Sequence, residues 1–298
     1  MARKPRHSAR LRTLPTTQIV MLGTGTPRPD PARSGPATAL VVNGTPYLVD
    51  FGPGVVRRIA SAYDTGVTAF GFAATAVTTV FLTHLHADHT AGYPDLILTP
   101  WILGRRKPLD VYGPKGLRAM TQHVLKAWGI DIEDRVTGID RLPRGGCRVN
   151  AHEIAPGVIY ADRNVRVIAF PARHGLLAAF GFRFETPDKV IVISGDTAPT
   201  PNLAEHCKDC DVLIHEAYSE RTYEGVSPRW QRYRRTHHTS SKQLAALAAR
   251  VRPGLLVLYH RSNAGGATTP PDAEERLLRE IRRLYRGRIV AGHDLDVF

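Results

Sequence analysis

The sequence predicts an α/β fold of layered sheets, and three observations carry that expectation. Short β-branched apolar runs alternate with turn clusters from residue 18 onward, fewer helical patterns are interleaved among them, and neither a long linker nor an internal repeat divides the chain. With 298 residues, 43% of them hydrophobic, the chain can bury a substantial core.

In chain order, residues 1–17 carry Arg3, Lys4, Arg6, Arg10 and Arg12 without an apolar segment, so they read as a flexible basic arm ahead of one domain spanning 18–298. Strands are expected at Ile19–Leu22, Ala39–Val42, Tyr47–Val49, Val77–Leu82 and Asp110–Tyr112, then at Val165–Phe170, Phe180–Phe184, Val190–Ile193, Val212–Ile214, Leu255–Tyr259 and Ile289–Ala291. Helices are expected at Lys115–Trp128, Ser241–Arg250 and Pro271–Tyr285, the last opened by Pro271 with acidic residues in its first turns. Chemistry-bearing residues follow several of the strands, which places function at strand ends.

Composition narrows the function classes. No run approaches the roughly 18 apolar residues of a membrane span, so the expectation is a cytoplasmic protein, or a periplasmic or secreted one if an export signal has been removed. Lys and Arg outnumber Asp and Glu by 40 to 27, and the resulting charge of +13 favours anionic partners: phosphate or sulfate esters, or RNA. Cys147, Cys207 and Cys210 are too few for a disulfide framework, and Cys207-x-x-Cys210 lacks the second pair of a four-cysteine zinc site; it reads as incidental. Gly23-Thr24-Gly25 follows a strand but lacks a third glycine, and Pro27, Pro29 and Pro31 keep the loop from opening a helix that could hold a pyrophosphate.

The densest signal is Thr83-His84-Leu85-His86-Ala87-Asp88-His89. His84 and His86 lie two apart after a strand, so in extended chain their imidazoles point the same way and can bind one ion. Asp88 and His89 follow as the chain turns and can address a second. Three histidines and an aspartate in six residues read as metal ligands.

His84-x-His86-x-Asp88-His89 is similar to the signature of the metallo-β-lactamase superfamily, and the resemblance runs in the family's order through Leu48-Val49-Asp50-Phe51-Gly52, Ala172-Arg173-His174-Gly175, Ile193-Ser194-Gly195-Asp196-Thr197 and Leu258-Tyr259-His260. It implies a four-layer αβ/βα sandwich of two mixed β-sheets flanked by helices. It also implies two divalent metal ions, zinc foremost and manganese or iron as alternatives, with His84, His86 and His174 on one, Asp88, His89 and His260 on the other, and Asp196 on both. Asp50 reads as a residue that accepts hydrogen bonds from the ligand loop and orients it without touching metal.

His215-Glu216-Ala217 and His237-His238-Thr239-Ser240 resemble two further motifs of the tRNase Z branch, shared with arylsulfatase-like and phosphodiesterase-like members. That resemblance makes Asp88, Glu216 and His238 catalytic, with Glu216 orienting His238 and His238 protonating the leaving group. The bland reading is that Thr239 or Ser240 is merely the N-cap of the following helix. Arg229-Trp230-Gln231-Arg232-Tyr233-Arg234-Arg235 interleaves cations with rings, so Arg229, Trp230, Arg232, Tyr233 and Arg235 are candidate substrate contacts; the alternative is a surface loop. Housekeeping members of the branch carry a tRNA-gripping arm between the third-motif histidine and the bridging aspartate. His174 and Asp196 lie only 22 positions apart, and the interval is filled by two strand-like runs and the turn Thr186-Pro187-Asp188.

The reading is therefore a metal-dependent hydrolase of anionic esters, a phosphodiesterase or ribonuclease Z-like enzyme without the arm. The alternatives are arylsulfatase, lactonase or β-lactamase activity on the same site, and, from another class, an RNA-binding or regulatory protein without turnover. The family resemblance further implies a homodimer.

Overall fold

The computed structural model describes residues 16–66, 73–262 and 272–298, so the basic residues of the N-terminal arm and Pro271 lie outside the described residues. The first sheet is built from β1 (Thr17–Gly23), β2 (Ala37–Val42), β3 (Thr45–Val49), β4 (Thr79–Phe81), β5 (Leu109–Gly113) and β6 (Val149–Glu153), in that spatial order. The second runs, in chain order, β7 (Gly157–Ala161), β8 (Arg166–His174), β9 (Leu177–Glu185), β10 (Val190–Ile193), β11 (Val212–Tyr218), β12 (Leu255–Ser262) and β13 (Ile289–Ala291). Both sheets are mixed: β1–β3 are antiparallel and β3–β6 parallel, while β7–β10 are antiparallel and β10–β13 parallel.

The helices are α1 (Val55–Asp64), α2 (Ala87–Thr90), α3 (Tyr93–Ile102), α4 (Leu117–Ala127), α5 (Gly129–Thr137), α6 (Pro201–His206), α7 (Glu220–Glu224), α8 (Pro228–His237), α9 (Ser241–Val251) and α10 (Ala273–Arg282). Strand alternation sorts the apolar residues into three buried layers. In β1, Val20 and Leu22 face α1 and α3, whereas Ile19 and Met21 face the other sheet. In β12, Val257 and Tyr259 join the inter-sheet core while Leu256 and Leu258 pack against α9 and α10. Both faces of each sheet are thus buried, which is the expected four-layer arrangement and explains why these strands read as near-continuous apolar runs.

All eleven expected strands form, β10 and β13 with the expected ends and the others with shifted ones; β1 already includes Thr17, expected in the arm but buried, donating to Asp188 from its hydroxyl at 2.5 Å. Strands β6 and β7 are edge strands absent from the sequence reading: Val-Asn-Ala-His-Glu is largely polar, and Gly-Val-Ile-Tyr-Ala, though apolar, is short and has no fully buried residue. Helix α3 escaped it because it contains Pro94 and Pro100. Pro94 sits in the first turn, where proline is tolerated, and the Leu96 carbonyl left without a donor by Pro100 accepts instead from buried Arg105 at 3.0 Å. Cys207 and Cys210, read as incidental, are joined by a disulfide in the turn after α6, and both are buried in the core beneath α9. The stretch between His174 and Asp196 holds β9, the Thr186–Lys189 turn and β10, with Thr186 N–H donating to the Lys189 carbonyl at 2.9 Å.

Candidate metal centre and active site

The candidate residues come from strand ends along one edge of the two sheets. Asp50 follows β3, the His84–His89 segment follows β4, His174 ends β8, Asp196 follows β10, and Glu216 and His260 lie in β11 and β12. His260 owes its direction to a β-bulge. The register of β11 and β12 slips between Glu216 and Ala217, leaving His260 without an opposite partner and at φ 42°. Gly195, at φ 60°, carries the turn into Asp196; a Cβ there would stand 2.9 Å from the Phe180 carbonyl oxygen and 3.0 Å from Thr83.

The structure brings all seven expected ligands together. His86 Nδ1 lies 3.1 Å from His84 Nε2 and 3.0 Å from His174 Nε2. Two nitrogens about 2.0–2.1 Å from one zinc-type ion in a tetrahedron stand about 3.3 Å apart, so this triangle has the size of one face of a coordination shell. Beside it, His260 Nε2 lies 3.1 Å and His89 Nε2 3.6 Å from the carboxylate of Asp88. Asp196 spans the two groups: Oδ2 lies 4.0 Å from His84 Nε2, and Oδ1 lies 3.6 Å from His89 Nε2 and 3.4 Å from His260 Nδ1. His89 Nε2, Asp196 Oδ1 and His260 Nδ1 are fully buried and have no hydrogen-bond partner, an arrangement that costs free energy unless a cation sits among them. The donor set therefore fits metal.

Hydrogen bonds on the far side of the rings choose which nitrogen faces the cluster. Asp50 accepts from His89 Nδ1 at 2.8 Å and from the Thr83 backbone N–H at 2.8 Å, so one carboxylate holds both the ring and its loop. His174 Nδ1 donates to the His237 carbonyl at 2.8 Å, a contact from the end of α8 that sequence did not suggest. Charge reinforces the order. Burial would raise the Asp196 carboxyl, but His260, His89 and His84 overcome it and hold it well below the usual carboxylate range. Burial pushes His84 well down and His174 down to about 4, so both are neutral and able to ligate; His89 is buried too, but Asp50 and Asp196 prevail and hold it well above its ordinary value.

Glu216 and His238 stand against this cluster. His238 Nδ1 lies 3.4 Å from Glu216 Oε1 and 4.0 Å from Asp196 Oδ2. Glu216 is fully buried, its Oε1 accepting from the Thr239 N–H at 2.9 Å and the Thr197 N–H at 3.4 Å. Ser240 does cap α9, reciprocally with Gln243, but His238 is buried rather than an exposed neighbour of that cap.

A cavity of 570 Å³ opens over these residues. Its lining includes His86, Asp88, Asp196, His238 and His260, together with the Thr24–Arg33 loop and Trp230, Tyr233 and Arg234 of α8. The proline-rich loop excluded as a nucleotide turn thus shapes the site all the same. The Arg229–Arg235 stretch is helix rather than surface loop, and of its candidate contacts only Trp230 and Tyr233 reach the cavity. Arg229, Arg232 and Arg235 are exposed and do not line it. Arg234, which sequence reasoning passed over, does line it; the i, i+3, i+4 spacing from Trp230 was the signal, hidden by the lack of apolar periodicity around it.

A family described as a beta-lactamase superfamily domain matches residues 45–261. Ribonuclease Z of Mycobacterium bovis (strain BCG / Pasteur 1173P2) is 32% identical over 282 residues, 93% of this chain and 96% of that protein. Ribonuclease Z of Mycobacterium sp. (strain KMS) is 35% identical over 248 residues, 82% and 83% of the two chains. Among solved structures, the short form of human tRNase Z superposes with a TM-score of 0.67 at 23% identity, covering 94% of this chain and 98% of that one. The metallo-beta-lactamase fold protein YhfI from Bacillus subtilis gives 0.71 at 16% identity, covering 95% and 98%; at these identities the likeness is one of fold.

Proposed function

We propose, from the premise that this chain belongs to the ribonuclease Z family of the beta-lactamase superfamily and is a metal-dependent hydrolase of that kind, that it cleaves phosphodiesters at a dinuclear, zinc-type centre. One observation carries the proposal: the Asp196 carboxylate reaches both histidine groups while His89 Nε2, Asp196 Oδ1 and His260 Nδ1 are buried without partners. His84, His86 and His174 would hold one ion, Asp88, His89 and His260 the other, and Asp196 both. Two cations held there would lower the pKa of a water toward neutrality and polarise the ester oxygens.

The chain's own groups do the rest. Asp50 keeps His89 turned inward, and the His237 carbonyl does the same for His174. Glu216, held by Thr239 and Thr197, stands 3.4 Å from His238 Nδ1 and steadies the ring, so that His238 Nε2, once the ring is protonated, is the atom that would pass a proton to the leaving oxygen. Asp88 lines the cavity as well as the second cluster, which puts its carboxylate beside the reacting ester.

The relatives are named for RNA cleavage, and a formal charge of +13 suits an RNA or another anionic ester in the cytoplasm. With β9 and β10 filling the interval where a tRNA-gripping arm would project, small aryl phosphodiesters are the better substrates, because tRNA selection needs contacts far from the scissile bond. A homodimer is the expected assembly. Elemental analysis of the purified, zinc-supplemented protein should find close to two ions per chain; fewer than one removes the dinuclear reading. kcat/KM measured for a bis-aryl phosphodiester and for a precursor tRNA at near-physiological salt tests the substrate, and accurate 3′-end cleavage at the higher value would overturn the preference.

A further inference from the structure

Among the arginines that line the cavity, Arg33 pairs with Glu274 at 3.3 Å and with Asp30 at 3.7 Å, and Arg261 donates to Glu274 at 2.8 Å and to the Leu258 and Gly292 carbonyls. Arg234 is placed differently. It is 7% exposed, no carboxylate lies within ion-pair distance of it among the described residues, and its Nη1 is buried with no hydrogen-bond partner. Its guanidinium carbon lies over the ring of Tyr218, 5.2 Å from the centroid. Glu216 acts on it through space but stands beyond ion-pair distance, its Oε1 accepting from the Thr239 and Thr197 N–H groups. A buried guanidinium with an idle N–H is costly unless something supplies an acceptor, and its planar fork matches two oxygens of one phosphoryl group. Along α8, Arg234 sits one turn from Trp230 and next to Tyr233, and these three side chains share the cavity with His238 and Asp196.

We propose that Arg234 is the anion receptor of this cavity, holding the non-bridging oxygens of the substrate's phosphoryl group while Trp230 and Tyr233 pack against the aromatic ring or base attached to it. The inference rests on the phosphodiesterase reading above and adds to it the residue that separates anionic from neutral esters. Trp230 is 55% exposed, so its ring can meet a ligand without being extracted from a core.

The test compares wild type, Arg234→Gln and Arg234→Lys as full chains loaded with zinc. Bis(4-nitrophenyl) phosphate and 4-nitrophenyl acetate share a leaving group and differ in charge, and calorimetric titration with phenylphosphonate reads binding without turnover. Losing a charge-assisted hydrogen bond should lower kcat/KM for the diester by roughly 10- to 100-fold and weaken phenylphosphonate by a similar factor. The acetate should change less than about 2-fold, metal content and thermal midpoint should hold, and Arg234→Lys should fall between because it keeps charge without the fork. Equal losses on both esters with unchanged phenylphosphonate affinity would make Arg234 structural and overturn the proposal, leaving the phosphodiesterase reading intact. A wild type that binds metal and cleaves the acetate but not the diester sinks that reading instead, and the phenylphosphonate titration still decides on Arg234. If the Gln variant does not fold, unchanged diester rate and affinity in Arg234→Lys overturn the fork-binding role.

Discussion

The strand-end edge of the cavity and the helix-and-loop wall that completes its lining are built by opposite means. On the edge, groups come from six strand ends, nearly all are buried, and the rings have partners behind them: Asp50 for His89, the His237 carbonyl for His174, Thr83 for His84. On the wall, one helix and one loop present half-exposed rings and arginines, and the best-buried of these, Arg234, has an idle donor. Chemistry needs atoms held to a fraction of an ångström, which strand ends and paired hydrogen bonds provide; recognition tolerates side chains that adjust as the ligand arrives. The contrast predicts that edge substitutions act on metal content and all substrates alike, while wall substitutions discriminate between substrates.

The largest effect is expected from Asp196→Ala. Its carboxylate is the group common to both clusters, so the variant should lose bound metal and lower kcat/KM by more than about 10³-fold for every ester, since metal assistance is worth several kcal/mol. Retained stoichiometry by elemental analysis would refute the shared role. Next comes His238→Ala, which should keep its metal and lose roughly 10²–10⁴-fold, more for an alkyl leaving group than for nitrophenyl. Equal losses on the two leaving groups would take the proton-donor role away from His238. Asp50→Asn removes only the acceptor behind His89 and should weaken metal affinity by about 10- to 100-fold in a chelator competition. An unchanged affinity would mean that packing alone sets the ring.

At the small end stand Arg229→Gln, Arg232→Gln and Arg235→Gln on the exposed face of α8. Each should change kcat/KM for a small aryl diester by less than about 2-fold while reducing the salt slope of RNA binding by about one. A large, salt-insensitive loss on the small substrate from any of the three would erase the distinction between the two faces of the helix.

Much of the edge was legible in the sequence because its candidate ligands are local. His84, His86, Asp88 and His89 fall within six residues after an apolar run, and Asp50, His174, Asp196 and His260 each follow a run of their own. Strand periodicity is two, so a short β-branched run states both its conformation and which residues share a side. The eleven runs and the brevity of the segment between His174 and Asp196 likewise determined two buried sheets and left no room for a projecting arm. Tertiary structure alone decided the rest. The bulge that turns His260 inward exists only because β11 pairs with β12, and the hydrogen bond that orients His174 comes from a residue 63 positions away. Along the Arg229–Arg235 stretch, residue type singled out Arg229, Trp230, Arg232, Tyr233 and Arg235, yet a helical period of 3.6 and the place where α8 docks bring only Trp230 and Tyr233 of these to the cavity, with Arg234 beside them. Composition records which groups a segment owns; which of them meets the ligand depends on the element's rotation against its neighbours, and packing fixes that rotation across the whole molecule.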